Sequence, residues 1–347
     1  MDSRLNTVPV VDLTGTRSAP GRDADAQARG RAARTIDRAC RDIGFLIIDG
    51  HGVDTAVTAA AFQAAFAFFD APDPVKRSAV PSDGRVRGYT PMHRQALARS
   101  LEQDTPPDLF ERFRMGAFDL PDDDYHRQRA AGWFAPNVWP ADQPALRQAL
   151  ERYYRSMESL AADLMRLFAL ALHLPEDYFQ DKIDRHISSL CVNHYPAPDG
   201  PPLPEQWRAG AHTDYGSLTI VAPTVAPGCL QIRRRDGQWL DVQPQPGQLI
   251  VNIGDLMAQW TNDRWVSTLH RVGNPPPGSE PSSRRLSLVF FHQPNDDAVV
   301  ACLPSSLAVG ERPLYAPVTS GEHLRLKIHR QFVAPAATPA DPHSPDA

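Results

Sequence analysis

The sequence predicts a mainly β core with flanking helices. Short apolar stretches at close spacing fill the chain after residue 187, and turn residues such as Asp236-Gly237 separate them. Before residue 187, apolar residues recur mostly at helical spacing. Many short strands in succession are typical of a β-sandwich or barrel. The expected layout is therefore a C-terminal β core with a largely helical N-terminal half packed against it.

The N-terminal half is predicted to alternate short strands with helices. VPVVDL at 8–13 is rich in β-branched residues, and GFLIIDGHGV at 44–53 is an apolar run that enters a Gly-rich turn, so both predict strands. Helices are expected at 23–42 and 54–70, and the segment 80–116, rich in Pro, Gly and Arg, is expected to be irregular. A long amphipathic helix is expected at 143–173, with its apolar face formed by Leu146, Leu150, Tyr153, Met157, Leu160, Leu164, Leu167 and Phe168.

The C-terminal half is predicted to consist of consecutive strands. Their order along the chain is ISSLCVNHY, AHTDYGSLTIVA, CLQIRRR, WLDVQ, QLIVNIG, STLHRVG and RRLSLVFFHQ. In a strand, residues i and i+2 lie on the same face, which makes polar i, i+2 pairs in these apolar runs informative.

Composition excludes several classes of partner. The chain has 347 residues, 42% hydrophobic and 22% charged, with a net charge of −5 and no basic stripe, so nucleic acid is not expected as a partner. No apolar run reaches the roughly 18 residues of a membrane span, and the N-terminal residues lack the apolar core of a signal peptide. We expect a cytoplasmic enzyme without membrane association or an obligate protein partner.

Metal-ligating residues occur at the head of one predicted strand. His212 and Asp214 share a strand face, so an imidazole and a carboxylate lie side by side. His270 ends a later strand that a barrel can bring alongside the first. Two histidines and one carboxylate with other positions open are typical of a non-haem Fe(II) site.

Two further polar pairs interrupt apolar strands. Arg285 and Ser287 share a face, and a guanidinium fork can grip a carboxylate in a bidentate manner. Asn193 and Tyr195 share a face of another strand, and both can donate hydrogen bonds to an anionic or carbonyl oxygen. A buried Arg or Asp needs a partner, and a bound metal together with a dicarboxylate would satisfy all three pairs.

On these motifs the chain resembles the isopenicillin N synthase-like branch of the Fe(II)/2-oxoglutarate-dependent dioxygenases. The shared pattern is HxD at His212-Thr213-Asp214, the distal His270, RxS at Arg285-Leu286-Ser287, and NxYP at 193–196. The N-terminal half contributes VPVVDL, GFLIIDGHGV, FFDAPDPVK and RGY, so that the resemblance covers about residues 8–330.

The resemblance implies the fold, the cofactors and the site. The fold would be a distorted jelly roll, or double-stranded β-helix, with helices packed outside. Iron would be held by His212, Asp214 and His270. The far carboxylate of 2-oxoglutarate would reach Arg285, with help from Ser287 and Tyr195, and Asn193 would lie near its other end. With O2, such an enzyme oxidises a small molecule and releases succinate and CO2.

The resemblance also predicts how the chain is divided. Residues 1–120 would form an N-terminal region of the non-haem dioxygenase type, and 121–186 would be a linking segment with the long helix. Residues 187–330 would form the jelly-roll core. The Pro-rich residues 331–347 are expected to be disordered.

Candidates for the substrate pocket come from two sources. Strand parity from Arg285 and Ser287 places Phe291 on the interior face. In the resembled family the irregular N-terminal segment also lines the pocket, which here means 85–115. Its candidate residues are Tyr89, Met92, Arg94, Phe110 and Arg114, of which the two arginines could bind an acidic group.

Several alternative functions remain open from the sequence. One is an Fe(II) oxidase of the isopenicillin N synthase type that uses no 2-oxoglutarate, since RxS serves both types. Another is an ethylene-forming variant that fragments 2-oxoglutarate. A zinc hydrolase with the same ligands and a non-catalytic binding module are further alternatives. The three lysines among 36 basic residues indicate a GC-rich genome and favour bacterial specialised metabolism.

Overall fold

The computed structural model describes residues 7–17, 24–279 and 282–329, and its core is two facing β-sheets. The strands are β1 Val10–Asp12, β2 Phe45–Asp49, β3 Gly88–Thr90, β4 Glu111–Gly116, β5 Ser189–Tyr195, β6 Ala209–His212, β7 Leu218–Pro223, β8 Leu230–Arg233, β9 Trp239–Val242, β10 Leu249–Ile253, β11 His270–Val272, β12 Arg285–His292, β13 Val299–Val300 and β14 Val318–Thr319. The helices are α1 Ala26–Asp42, α2 Thr55–Phe69, α3 Asp73–Arg77, α4 Asp124–Gln128, α5 Pro144–Ala171, α6 Gln180–Ile183, α7 Asp255–Trp260 and α8 Ser320–His329, with 3-10 turns at Leu97–Leu101 and Pro304–Ser306.

The strand order is that of a jelly roll with added strands. The large sheet runs β1-β2-β10-β7-β12-β5-β4-β3, and the small sheet runs β6-β11-β8-β9. The pairs are antiparallel except for β1 with β2. Both sheets contribute side chains to one interior cavity. The predicted mainly β fold with a double-stranded β-helix core is confirmed.

The two faces of the central strand β12 explain its nearly continuous burial. Leu286, Leu288 and Phe290 point outward into the main hydrophobic core. The alternate residues point inward and line the cavity. Such a strand is buried on both faces. A polar residue in it is costly unless it has a hydrogen-bonding or charged partner in the interior.

Helix α5 covers the outer face of the large sheet. Its predicted apolar stripe is buried along the whole helix, including Leu150 and Phe168, and it packs against α1, α2 and β12. Helix α1 begins where Asp25 accepts a hydrogen bond from the backbone N–H of Gln27, which supplies a partner for one free N–H of the first turn. These helices bury the apolar side of the sheet, so the opposite side is left for the site.

The sequence misplaced two parts of the sheet. AHTDYGSLTIVA forms two strands in different sheets, β6 and β7, because the chain bends at Gly216, where a Cβ would overlap the carbonyl oxygen of His292. The segment 80–116, expected to be irregular, contains β3 and β4. Its charges hid the strand pattern, yet Glu111 is buried with Lys76 and His194 as partners.

The predicted domain boundaries remain predictions. The N-terminal region 1–120 contributes β1 to β4 to the same sheet as the core strands. The C-terminal segment 331–347 lies outside the described residues. Among the residues that the structure describes, no helix is long and apolar enough to cross a membrane.

Candidate active site

Three side chains converge where the small sheet meets the turn that follows β6. His212 ends β6, and His270 begins β11 directly opposite it in the antiparallel pair. Asp214 follows two residues after His212. Its Oδ1 lies 3.9 Å from Nε2 of His212 and 3.8 Å from Nε2 of His270. The three ligand atoms lie within 4.8 Å of one another, a separation that one metal ion can bridge.

Backbone carbonyls determine which nitrogen of each histidine faces the position between the three ligand atoms. Nδ1 of His212 lies 2.7 Å from the carbonyl oxygen of Gly210, and Nδ1 of His270 lies 3.0 Å from that of Thr268. A carbonyl only accepts, so each Nδ1 carries the proton and donates it. Each Nε2 therefore presents a lone pair toward Asp214, which is the arrangement that metal-binding histidines need.

The protonation states also suit a cation. Burial, and then the neighbouring His270, lower the pKa of His212 to about 3, so its imidazole is neutral at physiological pH. Burial alone would raise the pKa of Asp214, but His270 and His212 and hydrogen bonds from Asn252 and Thr219 hold it below its ordinary value. Nδ2 of Asn252 donates to Oδ2 of Asp214 at 2.7 Å, which leaves Oδ1 for the centre.

Asn252 is a residue that sequence reasoning missed. Its replacement by alanine should weaken Fe(II) binding by about 10- to 100-fold, because the carboxylate that it orients would then rotate. Titration of the metal-free variant with Fe(II) measures this directly. Gln238→Ala, at an exposed hairpin position, is the matched amide control and should bind like the wild type. Equal affinities of both variants would contradict an orienting role for Asn252.

Asp108 lies far from the metal ligands in sequence and holds the backbone next to His212 in place. Its carboxylate accepts hydrogen bonds from the backbone N–H groups of Leu97, at 2.8 Å, and of Gly210, at 2.9 Å. Gly210 is the residue whose carbonyl orients His212. Burial raises the pKa of Asp108 to about 7 despite these two bonds.

A pH dependence of stability follows from Asp108. A carboxyl with a raised folded-state pKa favours folding below its unfolded pKa, and that contribution is lost as the pH rises through about 7. Relative to Asp108→Asn, the metal-free wild type should lose on the order of 2–4 kcal/mol of unfolding free energy between pH 4 and pH 8. Urea denaturation of both proteins across this range measures it. A pH-independent difference would contradict the prediction.

The interior cavity extends from the three ligands to a buried arginine. It is lined by His212, Asp214, Thr219, Asn252 and His270 at one end and by Arg285, Ser287, Asn193 and Tyr195 further along β12 and β5. Arg285 is only 3% exposed. Nη1 donates to the carbonyl oxygen of Gly228 at 2.5 Å, and Nη2 lies 3.5 Å from Oγ of Ser287.

Arg285 has no acidic partner within the described part of the chain. Its Nε is buried without a hydrogen-bond partner, and burial lowers the pKa of the guanidinium. A buried cation that lacks a counter-charge is costly unless a ligand supplies one. The cavity end at Arg285 is therefore suited to a carboxylate.

The pair on β5 is positioned by a residue that the sequence reasoning did not select. Nε of Arg112 donates to Oδ1 of Asn193 at 2.7 Å, which turns the Asn193 amide nitrogen toward Tyr195. Arg112 itself lines the cavity from β4 and is buried. The i, i+2 spacing of Arg112 and Arg114 could have indicated that both lie on one face of a strand. The segment was not recognised as a strand, so this role was missed.

The residues predicted for the substrate pocket are not gathered in one place. Phe291 lines the cavity, as strand parity predicts. Tyr89 is buried in the core, where its hydroxyl donates to Glu111, and Phe110 packs against Tyr195 at 5.8 Å between ring centroids. Neither side chain lines the interior cavity, where the residue contributed by β4 is Arg112. Met92 lines a separate cleft, Arg94 is exposed, and Arg114 lines a third cleft.

Two histidines and one carboxylate inside a double-stranded β-helix define the class of mononuclear non-haem iron oxygenases. Residues 8–142 match the family model of the non-haem dioxygenase in morphine synthesis N-terminal region, and residues 187–294 match that of the 2OG-Fe(II) oxygenase superfamily. The chain belongs to the Fe(II)/2-oxoglutarate-dependent oxygenases, and its cofactors are Fe(II) and 2-oxoglutarate. The resemblance found in the sequence is confirmed.

Known relatives match over nearly the whole chain. The 2-oxoglutarate-Fe(II) type oxidoreductase hxnY of Emericella nidulans is 30% identical over 91% of this chain and 88% of its own length. Validamycin A dioxygenase of Streptomyces hygroscopicus subsp. limoneus is 32% identical over 91% and 81%. The structure of Neurospora crassa T7H in complex with alpha-KG and thymine superposes with a TM-score of 0.79 at 25% identity, covering 95% of this chain and 98% of that one.

Proposed function

We propose that this enzyme oxidises a small organic molecule by hydroxylation, desaturation or cyclisation, with release of succinate and CO2. Fe(II) is held by His212, Asp214 and His270, and the far carboxylate of 2-oxoglutarate by Arg285. The observation that carries this assignment is the buried Arg285 guanidinium, which has no counter-ion among the described residues and lies in the same cavity as the three ligand atoms. The substrate class is supported by the similarity to validamycin A dioxygenase and to the T7H complex with thymine, both of which involve small molecules.

The chain's own residues bind and orient the co-substrate. Ser287 and Tyr195 flank the Arg285 guanidinium, whose central carbon lies 5.4 Å from the Tyr195 ring centroid. Asn193, fixed by Arg112, lines the cavity and presents its amide nitrogen toward the hydroxyl of Tyr195. When bound, Fe(II) and 2-oxoglutarate supply the oxidising chemistry by activating O2.

Apolar side chains of the cavity keep water from the reacting groups. Val221, Leu230, Ile250, Val272 and Val289 form much of its wall. Beside these apolar walls the charge of Arg285 acts more strongly on a carboxylate than it would in water.

The composition supports a setting in bacterial specialised metabolism, as part of the same proposal. Arginine outnumbers lysine by 33 to three among 36 basic residues, a bias typical of GC-rich genomes. One of the matched relatives is a Streptomyces enzyme.

The decisive test is conversion of 2-oxoglutarate to succinate. The purified protein with Fe(II), ascorbate and O2 should form succinate slowly, and a true substrate should accelerate this and disappear in equal amount. Omission of Fe(II) or O2 should stop the reaction. Substrate oxidation with O2 uptake but no loss of 2-oxoglutarate would favour an oxidase of the isopenicillin N synthase type instead. Ethylene release would indicate fragmentation of 2-oxoglutarate.

A further inference from the structure

A second group of arginines lies in an open cleft beside the metal cavity. The cleft has a volume of about 620 Å³, and five arginines contribute to its wall: Arg85, Arg87, Arg114, Arg129 and Arg325. Three of them have acidic partners. Arg85 pairs with Asp83, and both Arg129 and Arg325 pair with Asp296.

Arg87 and Arg114 form no ion pair within the part of the chain that the structure describes. Arg87 is 8% exposed and donates to the carbonyl oxygens of Val86, at 2.9 Å, and of Trp133. Arg114 donates from Nη2 to Oγ of Ser189 at 2.9 Å. The Nε atoms of Arg87 and Arg114 are both buried without a hydrogen-bond partner. Each guanidinium thus keeps unused donors and an unbalanced charge.

The two charges also oppose each other. Burial, and then the charge of Arg114, lower the pKa of Arg87 to about 10, so Arg87 remains cationic at neutral pH. Arg114 carries the same guanidinium group, which stays protonated in proteins. The chain makes room for this arrangement at Gly116, where a Cβ would overlap the Arg87 guanidinium. Two neighbouring cations held in place without a counter-charge are costly, and a shared anion would offset that cost.

The cleft adjoins the metal cavity along one face of the large sheet. Arg114 shares its strand face with Arg112, which lines the metal cavity. Ser189, the hydrogen-bond partner of Arg114, lies opposite Phe291 in the pairing of β5 with β12, and Phe291 lines the metal cavity too. A molecule held at Arg114 could therefore extend past Phe291 toward the metal ligands.

We propose that Arg87 and Arg114 bind a carboxylate of the prime substrate, which is a small organic acid with an apolar body. This inference rests on the proposed function, because it names the substrate class of the same site. Two guanidinium forks match a planar carboxylate. Trp133 and Ile328, which also line the cleft, provide an apolar surface for the rest of the molecule.

The binding test uses matched pairs of acids and amides on the metal-free protein. Benzoate and naphthoate are titrated by calorimetry beside benzamide and naphthamide, which have the same shape without the charge. The acids should bind about 10- to 100-fold more tightly than the amides. Arg87→Gln and Arg114→Gln should each reduce acid binding toward that of the amide. Arg152→Gln, which removes an exposed charge on α5, is the matched control and should change nothing.

Further variants separate this cleft from the co-substrate pocket and from misfolding. With 2-oxoglutarate added to fill the pocket at Arg285, wild-type acid binding should persist, and Arg285→Gln should leave the acid binding that depends on Arg87 and Arg114 unchanged. Gly116→Ala keeps both charges but displaces Arg87, so it should weaken acid binding as well, and thermal unfolding of every variant verifies folding. Loss of acid binding in Arg285→Gln alone, equal binding of acids and amides, or no acid binding at millimolar concentration would each overturn the proposal.

Measuring succinate formation separates a failure of the anion site from a failure of the proposed function. Acids that bind through Arg87 and Arg114 without any 2-oxoglutarate consumption by the Fe(II)-loaded enzyme would preserve the anion site and overturn the proposed function. Succinate formation that neutral substrates stimulate, with no effect of Arg87→Gln or Arg114→Gln, would preserve the function and overturn the anion site.

Discussion

Replacing Asp214 by alanine should abolish Fe(II) binding and 2-oxoglutarate turnover. Asp214 supplies the single anionic ligand atom, and the two imidazoles lie 3.9 Å and 3.8 Å from it. Losing a ligand should cost more than the 10- to 100-fold typical of an outer hydrogen-bonding partner, so affinity should fall by more than about 100-fold. The variant should also lack the weak visible charge-transfer band of the Fe(II)–2-oxoglutarate complex, recorded without O2.

The matched control for this variant is Asp241→Ala. Asp241 is exposed on β9 and accepts a hydrogen bond from Gln231, so its loss removes one carboxylate that does not line the cavity. It should bind Fe(II) and show the band like the wild type. A band of full intensity in Asp214→Ala would show that the metal is held elsewhere and would overturn the ligand assignment.

Replacing Arg285 by glutamine should weaken 2-oxoglutarate binding while Fe(II) binding is kept. Truncating one partner of a buried charge pair costs 2–5 kcal/mol, which corresponds to about 30- to 5,000-fold in the dissociation constant. Titrating 2-oxoglutarate into the Fe(II)-loaded proteins and following the charge-transfer band measures the change. Arg285→Lys should recover only part of the affinity, because an ammonium group lacks the planar fork.

The preceding residue gives a control of the same charge. Arg284 points to the opposite face, where it pairs with Asp70 and donates to His194. Arg284→Gln should therefore leave the affinity for 2-oxoglutarate near that of the wild type, although it removes an identical side chain one residue away. Similar losses in both variants would indicate a general effect of charge or folding and would contradict a specific co-substrate contact.

The sequence was informative wherever strand alternation alone decides which way a side chain points. Arg285, Ser287 and Phe291 share the interior face, and Leu286 and Phe290 lie in the core behind it. The long helix α5 was predicted within two residues at each end, because its apolar stripe recurs over 28 residues. These features depend on local periodicity, which a single sequence carries.

The sequence failed where contacts join distant segments through polar residues. The strand β4 was missed because its charges at Glu111, Arg112 and Arg114 mimic a surface loop. Asn252 gave no indication of its role, since it lies in an apolar run and reaches Asp214 only through the pairing of β10 with β7. The role of Arg87 likewise depends on its proximity to Arg114, which the sequence does not indicate.

The sequence by itself determined the fold class, the family and the residue types that converge in the cavity. The HxD pair, the distal histidine and the RxS pair are polar residues in otherwise apolar strands. Their positions follow the two-residue alternation of a strand, so the sequence shows which face they share. Only the tertiary structure decided which nitrogens face the metal position, which buried arginines lack a counter-charge among the described residues, and which of the candidate substrate residues line a cavity. Those properties depend on the pairing of strands far apart in the chain, and local patterning does not encode the distances that such pairing sets.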